Sequence, residues 1–209
     1  MSASTSQLVR FLQQENSRLK EEKEVLQEEN IAMRRYMEAL EALHQAAFQI
    51  TSEQNLMDLL DQILYNAMNV LQAEDGSLSL LDEETDELVF VLVHGDISDE
   101  LQGFRMKSDE GIGGWVATNR EALIVNDVRQ DRRFFSRVDD TFNFSTQSIL
   151  CVPMVTRNKL IGVIELVNKQ DGGEFSETDS SLLSILAHIA AIALEEMRIK
   201  LEEEEPIAV

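Results

Sequence analysis

Two apolar runs separated by a short polar break constrain the fold more than any other part of the chain. The first run covers residues 149–155 and the second covers residues 160–167, with polar residues at 156–159 between them. Two runs rich in β-branched residues joined by a few polar residues indicate an antiparallel hairpin. Because polar residues hardly alternate with apolar ones, both faces must be covered, which predicts strands in the centre of a sheet. Pro153 has no N–H to donate, so we expect a bulge or local break in the first strand.

The hairpin is followed by a loop with a pair of glycines and then by the start of a helix. Residues 176–179 have the sequence Ser-Glu-Thr-Asp. In this pattern the first and last side chains can each accept a hydrogen bond from the other residue's backbone N–H, which is a capping box. An apolar helix face continues from there, so the sequence predicts a helix over residues 177–201.

The preceding part of the domain predicts helices and short strands in turn. Residues 56–71 carry apolar side chains at helical spacing, and residues 111–117 open a second, shorter helix with three glycines. The Lys-Ser/Thr pair of a phosphate-binding P-loop does not follow these glycines, so they predict a tight turn into a packed helix. Residues 126–145 are expected to be irregular, with one helical turn near residues 132–135. Strands are predicted at residues 76–82, 87–93, 104–106 and 122–125.

The charge and the cysteine content exclude several classes of protein. The net charge is −21 over 209 residues, whereas nucleic acids and anionic membranes are bound by basic surfaces, so neither is expected as a partner. The single cysteine, Cys151, excludes an internal disulfide and a cysteine zinc cluster. It also lies inside an apolar run, which predicts a core residue. No secretion signal and no apolar run of membrane-spanning length is visible, so we expect a cytoplasmic protein.

A seven-residue repeat of Leu and Met near the N-terminus predicts a coiled coil over residues 7–42, after a disordered segment at residues 1–6. Asn16 and Asn30 fall at the a positions, where paired asparagines favour a parallel, two-stranded arrangement. The alternative is a single amphipathic helix lying on the domain. Residues 1–6 contain no basic helix of the kind a zipper-type DNA-binding protein requires. The predicted dimer seam consists of Leu12, Asn16, Leu19, Leu26, Asn30, Met33 and Leu40.

Four motifs in order along the chain resemble those of GAF domains. They are GIGGWVA at residues 111–117, VNDV at 125–128, VDD at 138–140 with FSTQSILCVP at 144–153, and IGVIELVNK at 161–169. The resemblance covers residues 43–200 and leaves residues 201–209 as an acidic, mobile tail. It implies an α+β fold with a six-stranded antiparallel sheet flanked by helices, used in small-molecule sensing and in dimerisation.

Within that family, the chain is similar to the subset found in cyclic-nucleotide phosphodiesterases and bacterial adenylyl cyclases. The resemblance implies a structural lock in which a Lys and an Asp form a salt bridge, made here by Asn168, Lys169, Phe175 and Asp179. Ser180 stands where the subset has Glu, Phe142 where it has a second Thr, and Val93-His94 where it has an aromatic-acid pair. The residues expected at the ligand are Ser77, His94, Asn126, Asp127, Phe134, Phe142, Phe144, Thr146 and Glu165.

These observations predict a dimeric signal-sensing module that is not an enzyme and holds no metal. A small ligand, cyclic AMP or cyclic GMP among the candidates, would bind in the pocket and bias the packing of the coiled coil and the domain's helices. The output would pass to a partner protein. The alternative is a structural dimerisation or scaffold domain without a ligand. Family members that reduce free methionine sulfoxide need several cysteines, and members that attach a bilin need an exposed thiol. This chain has one cysteine, predicted in the core, so neither activity is expected.

Overall fold

The computed structural model describes two compact units, Met1–Glu41 and Ala42–Val209. In the first unit, residues 10–20 are helical, and Leu12 and Leu19 are more than half exposed in the single chain. Leu26 is exposed in the same way, whereas Asn30, Met33 and Leu40 of the predicted seam lie outside the described residues. The coiled coil therefore stays a prediction. The residues described are 10–20, 22–23, 26–27, 34, 37, 53–96, 98–157 and 159–204.

The second unit contains a six-stranded antiparallel sheet flanked by helices, as the sequence predicts. The strands are β1 (Ala73–Asp82), β2 (Glu87–His94), β3 (Arg105–Lys107), β4 (Leu123–Val125), β5 (Ile149–Thr156) and β6 (Lys159–Lys169). Their order across the sheet is β3-β2-β1-β6-β5-β4. The helices are α1 (Glu53–Leu71), α2 (Ser98–Leu101), α3 (Gly111–Asn119), α4 (Arg137–Phe142) and α5 (Glu177–Glu204), with 3-10 turns at Val128–Gln130 and Gln170–Gly172.

The predicted hairpin is present and central. β5 and β6 pair with each other, and each has a further neighbour in the sheet, β4 and β1 respectively. The register of the hairpin shifts between Met154 and Val155, so the expected bulge lies just after Pro153. Both faces of these strands are covered, because the consecutive residues Cys151 and Val152 point to opposite faces of the sheet and are both fully buried.

Two layers of unequal thickness cover the sheet. On one face, α1 and α5 form the main core with strand residues whose side chains alternate onto that side. On the other face, α3 and the segment that follows β4 form a smaller core around Val116, Val128 and Val163. The main core includes Leu60, Ile63 and Leu64 of α1, Leu183 and Ala187 of α5, and Leu78, Leu150, Ile164 and Leu166 of the strands.

Helix α5 begins at the predicted capping box and ends later than expected. The Ser176 hydroxyl accepts a hydrogen bond from the Asp179 N–H at 3.2 Å, and the Asp179 carboxylate accepts one from the Ser176 N–H at 2.8 Å. The helix continues to Glu204, three residues beyond the predicted end at Leu201. Arg198 bonds to both Glu195 and Glu202, which offsets the acidic end of the helix. Residues 205–209 lie outside the described part of the chain.

In place of the helical turn expected near residues 132–135, the structure has a single hydrogen-bonded turn, in which the Phe134 N–H donates to the Asp131 carbonyl at 3.1 Å. The helical elements lie on either side of it, a 3-10 turn at Val128–Gln130 and a helix at Arg137–Phe142. The Asp127 carboxylate accepts a hydrogen bond from the Arg129 N–H, which starts the earlier turn. Asn143 adopts a left-handed φ of 51° and ends the later one. Asn is one of the residues that tolerate this conformation, so local side-chain bonds set the turns here.

Candidate functional site

A cavity with an interior of about 90 Å³ and an open mouth lies on the face of the sheet covered by α3 and α4. Strands β1, β2 and β6 form the floor, and α3 with the segment between β4 and β5 forms the walls. Of the nine residues that the sequence predicts at the ligand, six line this cavity: Ser77, His94, Phe134, Phe144, Thr146 and Glu165.

The floor is built by the alternation of strand side chains. Ser77 and Ser79 face the cavity from β1, because residues two apart point to the same side of a sheet. Glu165 on β6 lies directly opposite Ser77, so the carboxyl and the hydroxyl share one row of the pleat. Ser79 is only 2% exposed, and its Oγ has no hydrogen-bond partner among the described residues. The floor therefore presents an unsatisfied hydroxyl next to a carboxyl group.

Glu165 is partly buried and lines the cavity. Burial raises its pKa to about 7, and a hydrogen bond from the Cys151 thiol offsets part of this rise. The pKa of Cys151 is raised well above its usual value, first by burial and then by the neighbouring Glu165. A Cβ on Gly113 would lie 3.2 Å from Glu165 Oε1, so the first turn of α3 packs directly on this carboxyl. Glycine at this position makes the contact possible.

Thr146 fixes the segment over the cavity through Asp139. Its hydroxyl donates to Asp139 Oδ1 at 2.6 Å, and its N–H donates to Asp139 Oδ2 at 2.9 Å. Thr146 is buried, and both residues line the cavity. Thr146 is among the residues that the sequence predicts at the ligand, whereas Asp139, which joins α4 to the start of β5, is not.

Phenylalanines form the apolar walls, with one exception to the prediction. Phe134 and Phe144 line the cavity together with Phe90. Phe142 does not; its ring packs edge-on against Phe104 with the centroids 5.4 Å apart. Phe144 lines the cavity and Phe142 does not, because α4 ends at Phe142 and the chain turns at Asn143.

Asn126 and Asp127 also lie away from the cavity, because their side chains satisfy nearby backbone groups. The Asn126 amide donates to the Phe175 carbonyl at 3.1 Å and accepts from the Phe175 N–H at 2.9 Å. Asp127 accepts from the Arg129 N–H at 3.1 Å and from the Gln130 side chain at 2.6 Å. Both residues are predicted at the ligand from the sequence, but in the structure they organise loops around the site.

His94 joins the cavity to helix α1. The residue lines the cavity at the end of β2, and its Nε2 lies 2.9 Å from Asp61 Oδ1 on α1. The Tyr65 ring, one helical turn further along α1, packs edge-on against the imidazole with centroids 6.1 Å apart. A movement of His94 would therefore change its contacts with Asp61 and Tyr65 on α1.

Three of the four residues of the predicted structural lock, Lys169, Phe175 and Asp179, lie together at the start of α5. Lys169 Nζ lies 2.7 Å from Asp179 Oδ2 and 5.2 Å from the centre of the Phe175 ring. The Lys169 and Asp179 side chains are 14% and 15% exposed, so water screens this salt bridge far less than a surface pair. The lock connects β6 to the first turn of α5.

Asn168 holds the segment that enters β5. It is buried and adopts a left-handed φ of 57°. Its Oδ1 accepts from the Gln147 N–H at 2.8 Å, and its Nδ2 donates to the Ser145 carbonyl at 3.0 Å. This amide therefore fixes the chain next to Thr146, on the edge of the cavity.

Within the described ranges, no group of three or more His, Cys, Asp and Glu side chains could hold a metal ion. Within the same part of the chain, no helix combines the length and the hydrophobicity needed to cross a bilayer.

Comparisons with known proteins agree with this architecture. A probable 3′,5′-cyclic phosphodiesterase, pde-5, of Caenorhabditis elegans is 31% identical over 148 residues, which are 65% of this chain. The match spans 20% of that relative, so the chain corresponds to about a fifth of its length.

Solved structures of low sequence identity share the fold. The GAF domain of a phosphoenolpyruvate-protein phosphotransferase from Coxiella burnetii has a TM-score of 0.68 at 21% identity, covering 80% of this chain and 98% of that one. A free methionine-R-sulfoxide reductase from Neisseria meningitidis has a TM-score of 0.62 at 22% identity, covering 78% and 91%. The model of the GAF domain family matches residues 55–194. This chain therefore belongs to the GAF domain family.

Proposed function

We propose that this chain is a regulatory, non-catalytic module in which a small ligand binds the cavity and alters the packing of α1 and α5. The observation that carries the proposal is the unpartnered Ser79 hydroxyl on the cavity floor. An unsatisfied buried polar group costs about 1–3 kcal/mol of free energy. A bound molecule that completes its hydrogen bonding removes this cost, so the floor is suited to a polar ligand.

Cyclic AMP and cyclic GMP are the first ligands to test. The support is the similarity to a protein named as a cyclic phosphodiesterase, together with the lock between Lys169 and Asp179. Ser77, Thr146 and Glu165, which the resemblance places at the nucleotide, all line the cavity. The relative's catalytic activity belongs to a much longer protein and supports no catalytic role for this chain.

The cavity has two connections to the flanking helices. His94 contacts Asp61 on α1, and the Lys169–Asp179 lock connects β6, which carries Glu165, to α5. A ligand can change helix packing only if it binds one arrangement more tightly than the other. We propose that these two connections supply that difference in affinity.

The proposed module acts as a cytoplasmic homodimer that signals to a partner protein. The predicted parallel coiled coil of the N-terminal unit would provide one interface. Ile185, Ile192 and Ile199 support a second interface on α5, since they recur every seven residues and are each more than a third exposed in the single chain. Light scattering coupled to size exclusion should give twice the monomer mass; a monomeric mass at micromolar concentration would remove the dimer from the proposal.

Thermal melting with each cyclic nucleotide tests the ligand. A ligand at one hundred times its dissociation constant adds about 2.7 kcal/mol to the free energy of unfolding. Ser79→Ala should reduce the shift because it removes the free hydroxyl of the floor. Thr156→Val is the matched control, since Thr156 also carries a buried, unpartnered hydroxyl but does not line the cavity. If neither nucleotide shifts the melting temperature, the nucleotide proposal fails.

The second candidate is a scaffold domain without a ligand. The observation that favours it is the Thr146–Asp139 pair, which closes the segment over the cavity with both side chains already bonded to each other. A scaffold would give the same melting temperature with every small molecule and would still form the dimer.

A further inference from the structure

The charges that line the cavity are almost all negative. Four carboxyl groups face it, on Asp75, Glu110, Asp139 and Glu165, and no Lys or Arg is among the described residues of the lining. The cation nearest to one of these groups, Arg137, lies outside the lining and 3.9 Å from Glu110 Oε2. The wall therefore carries an excess of hydrogen-bond acceptors and negative charge.

Asp75 and Glu165 are placed to share one positively charged group. Asp75 pairs across the sheet with Val167, and Glu165 lies two residues before Val167 on the same face of β6. Diagonal neighbours of this kind are separated by roughly 7–8 Å between backbones. A cation between their side chains would contact both carboxylates. Burial also raises the pKa of Asp75, and a hydrogen bond from the Asp96 N–H to its Oδ1 offsets part of this rise.

The helix that could attract an anion is already faced by a carboxyl group. The N-terminus of a helix favours negative charge. In this cavity the first turn of α3 packs on Glu165, with the Oε1 atom 3.2 Å from the position of a Cβ on Gly113. A phosphate brought to the same place would meet the Glu165 carboxyl, so the local positive potential is not available to an anionic ligand.

The aromatic walls suit the organic part of a cation. Phe90, Phe134 and Phe144 line the cavity, and the faces of aromatic rings attract positively charged nitrogen. Ser79 supplies an independent polar contact, because its buried hydroxyl faces the cavity without a partner. Carboxyl groups, aromatic rings and a free hydroxyl in one enclosed space are the groups that recognise an amine or an ammonium ion.

We infer that the ligand of this cavity is a small organic cation, held by Glu165 and Asp75 against the phenylalanine walls. The inference rests on the proposed function, because it names the chemical class of the ligand that the sensor binds. It departs from the cyclic nucleotides, which carry a negatively charged phosphate.

Three probes of one shape and different charge test the inference on the full chain. Phenethylamine is a cation at neutral pH, 2-phenylethanol is neutral and phenylacetate is an anion. At equal ionic strength, phenethylamine should raise the melting temperature more than 2-phenylethanol, and phenylacetate should give no shift. Calorimetric titration at pH 8, where Glu165 is ionised, should show binding in the same order.

Two variants separate binding in the cavity from general attraction to an acidic protein. Glu165→Gln should weaken phenethylamine binding at least about tenfold, and Asp75→Asn should weaken it in the same direction. Glu121→Gln is the matched control, because it removes one negative charge at an exposed position outside the lining and should leave the affinity unchanged.

The outcomes distinguish this inference from the proposed function. A shift with a cyclic nucleotide or phenylacetate but not with phenethylamine would overturn the inference and leave the sensor proposal standing. An equal loss of phenethylamine binding in Glu165→Gln and Glu121→Gln would also overturn it, because binding would then follow total charge. No shift with any probe, cyclic nucleotides included, would overturn both.

Discussion

Replacing Glu165 with Gln should remove a pH-dependent loss of stability from the domain. Burial raises the pKa of Glu165 from 4.5 to about 7 in the folded chain. Below pH 4.5 the carboxyl is protonated in both the folded and the unfolded state, so it imposes no penalty. Between pH 4.5 and 7 the folded state binds more protons than the unfolded state, and stability falls as the pH rises. Above about pH 7 the penalty is fully present.

The size of this effect follows from the two pKa values. One pKa unit corresponds to about 1.4 kcal/mol, so the full penalty is roughly 3 kcal/mol. Between pH 5 and pH 8 the same two values give a loss of about 2–3 kcal/mol in the free energy of unfolding, because part of the penalty is already present at pH 5. Glu165→Gln cannot ionise and should not lose this amount.

Urea unfolding of both proteins at pH 5 and pH 8 measures the difference. Carboxylates whose pKa is lowered, such as Asp131 beside Arg133, change stability in the opposite sense at acidic pH, but they are common to both proteins and cancel. The variant should gain about 2–3 kcal/mol in the free energy of unfolding relative to the natural chain on going from pH 5 to pH 8. Glu121→Gln, which changes an exposed carboxylate, should gain nothing. A pH-independent difference between Glu165→Gln and the natural chain would refute the assignment of a buried, raised-pKa carboxyl at this site.

Three further substitutions test the contacts around the cavity by urea unfolding. Lys169→Met should lower the free energy of unfolding by about 2–3 kcal/mol, because it leaves Asp179 without its half-buried partner. Lys159→Met breaks a more exposed pair with Glu83 and should lower it by less than about 1 kcal/mol. Equal losses would contradict the lock. Asn168→Gly should lower the free energy of unfolding by about 2 kcal/mol, because it removes the hydrogen bonds of the Asn168 side chain. Asn168→Ala should lower it by about 1 kcal/mol more, since Ala is strained at a φ of 57°. An Ala variant as stable as the Gly variant would disprove that strain. Gly162→Ala should prevent folding, because its Cβ would lie 2.0 Å from the Ser79 carbonyl oxygen, and a folded circular dichroism spectrum would show that this approach is not required.

The sequence predicts the parts of the fold that depend on burial and on local capping. The hairpin of β5 and β6 is identifiable because both of its faces are covered, which leaves a continuous apolar run. The start of α5 is identifiable because Ser176 and Asp179 satisfy each other's backbone groups. The turns between residues 127 and 135 are not identifiable from apolar periodicity. Asp127 and Asp131 fix them by accepting hydrogen bonds from the N–H groups of Arg129 and Arg133.

The site shows the same division between what periodicity reveals and what it does not. Ser77 and Glu165 lie on strands, where each side chain's direction follows from the alternation of the pleat. The same alternation would have identified Asp75 and Ser79, two residues away on either side of Ser77. Asn126 instead bonds to the backbone of Phe175, which only the folded chain brings near. Asp127 bonds to the Arg129 N–H two residues later and lies outside the cavity lining.

The charge balance of the cavity could also be predicted only in part. A net charge of −21 indicates an acidic protein but does not say which carboxyl groups face inwards. Glu110 and Asp139 flank the cavity from α3 and α4, whose exact ends depend on the left-handed residues Arg120 and Asn143. The fold therefore determines which ligands the cavity can accept.

Hydrogen exchange of the full chain, followed by mass spectrometry, tests the central claim that occupation of the cavity is transmitted to the flanking helices. The exchange should be measured with and without phenethylamine, cyclic AMP and cyclic GMP. The account predicts that a compound which raises the melting temperature also slows exchange in residues 126–147, and changes it in α1 around Asp61 and at the start of α5 around Asp179. Protection confined to the cavity, with α1 and α5 unchanged, would contradict the account.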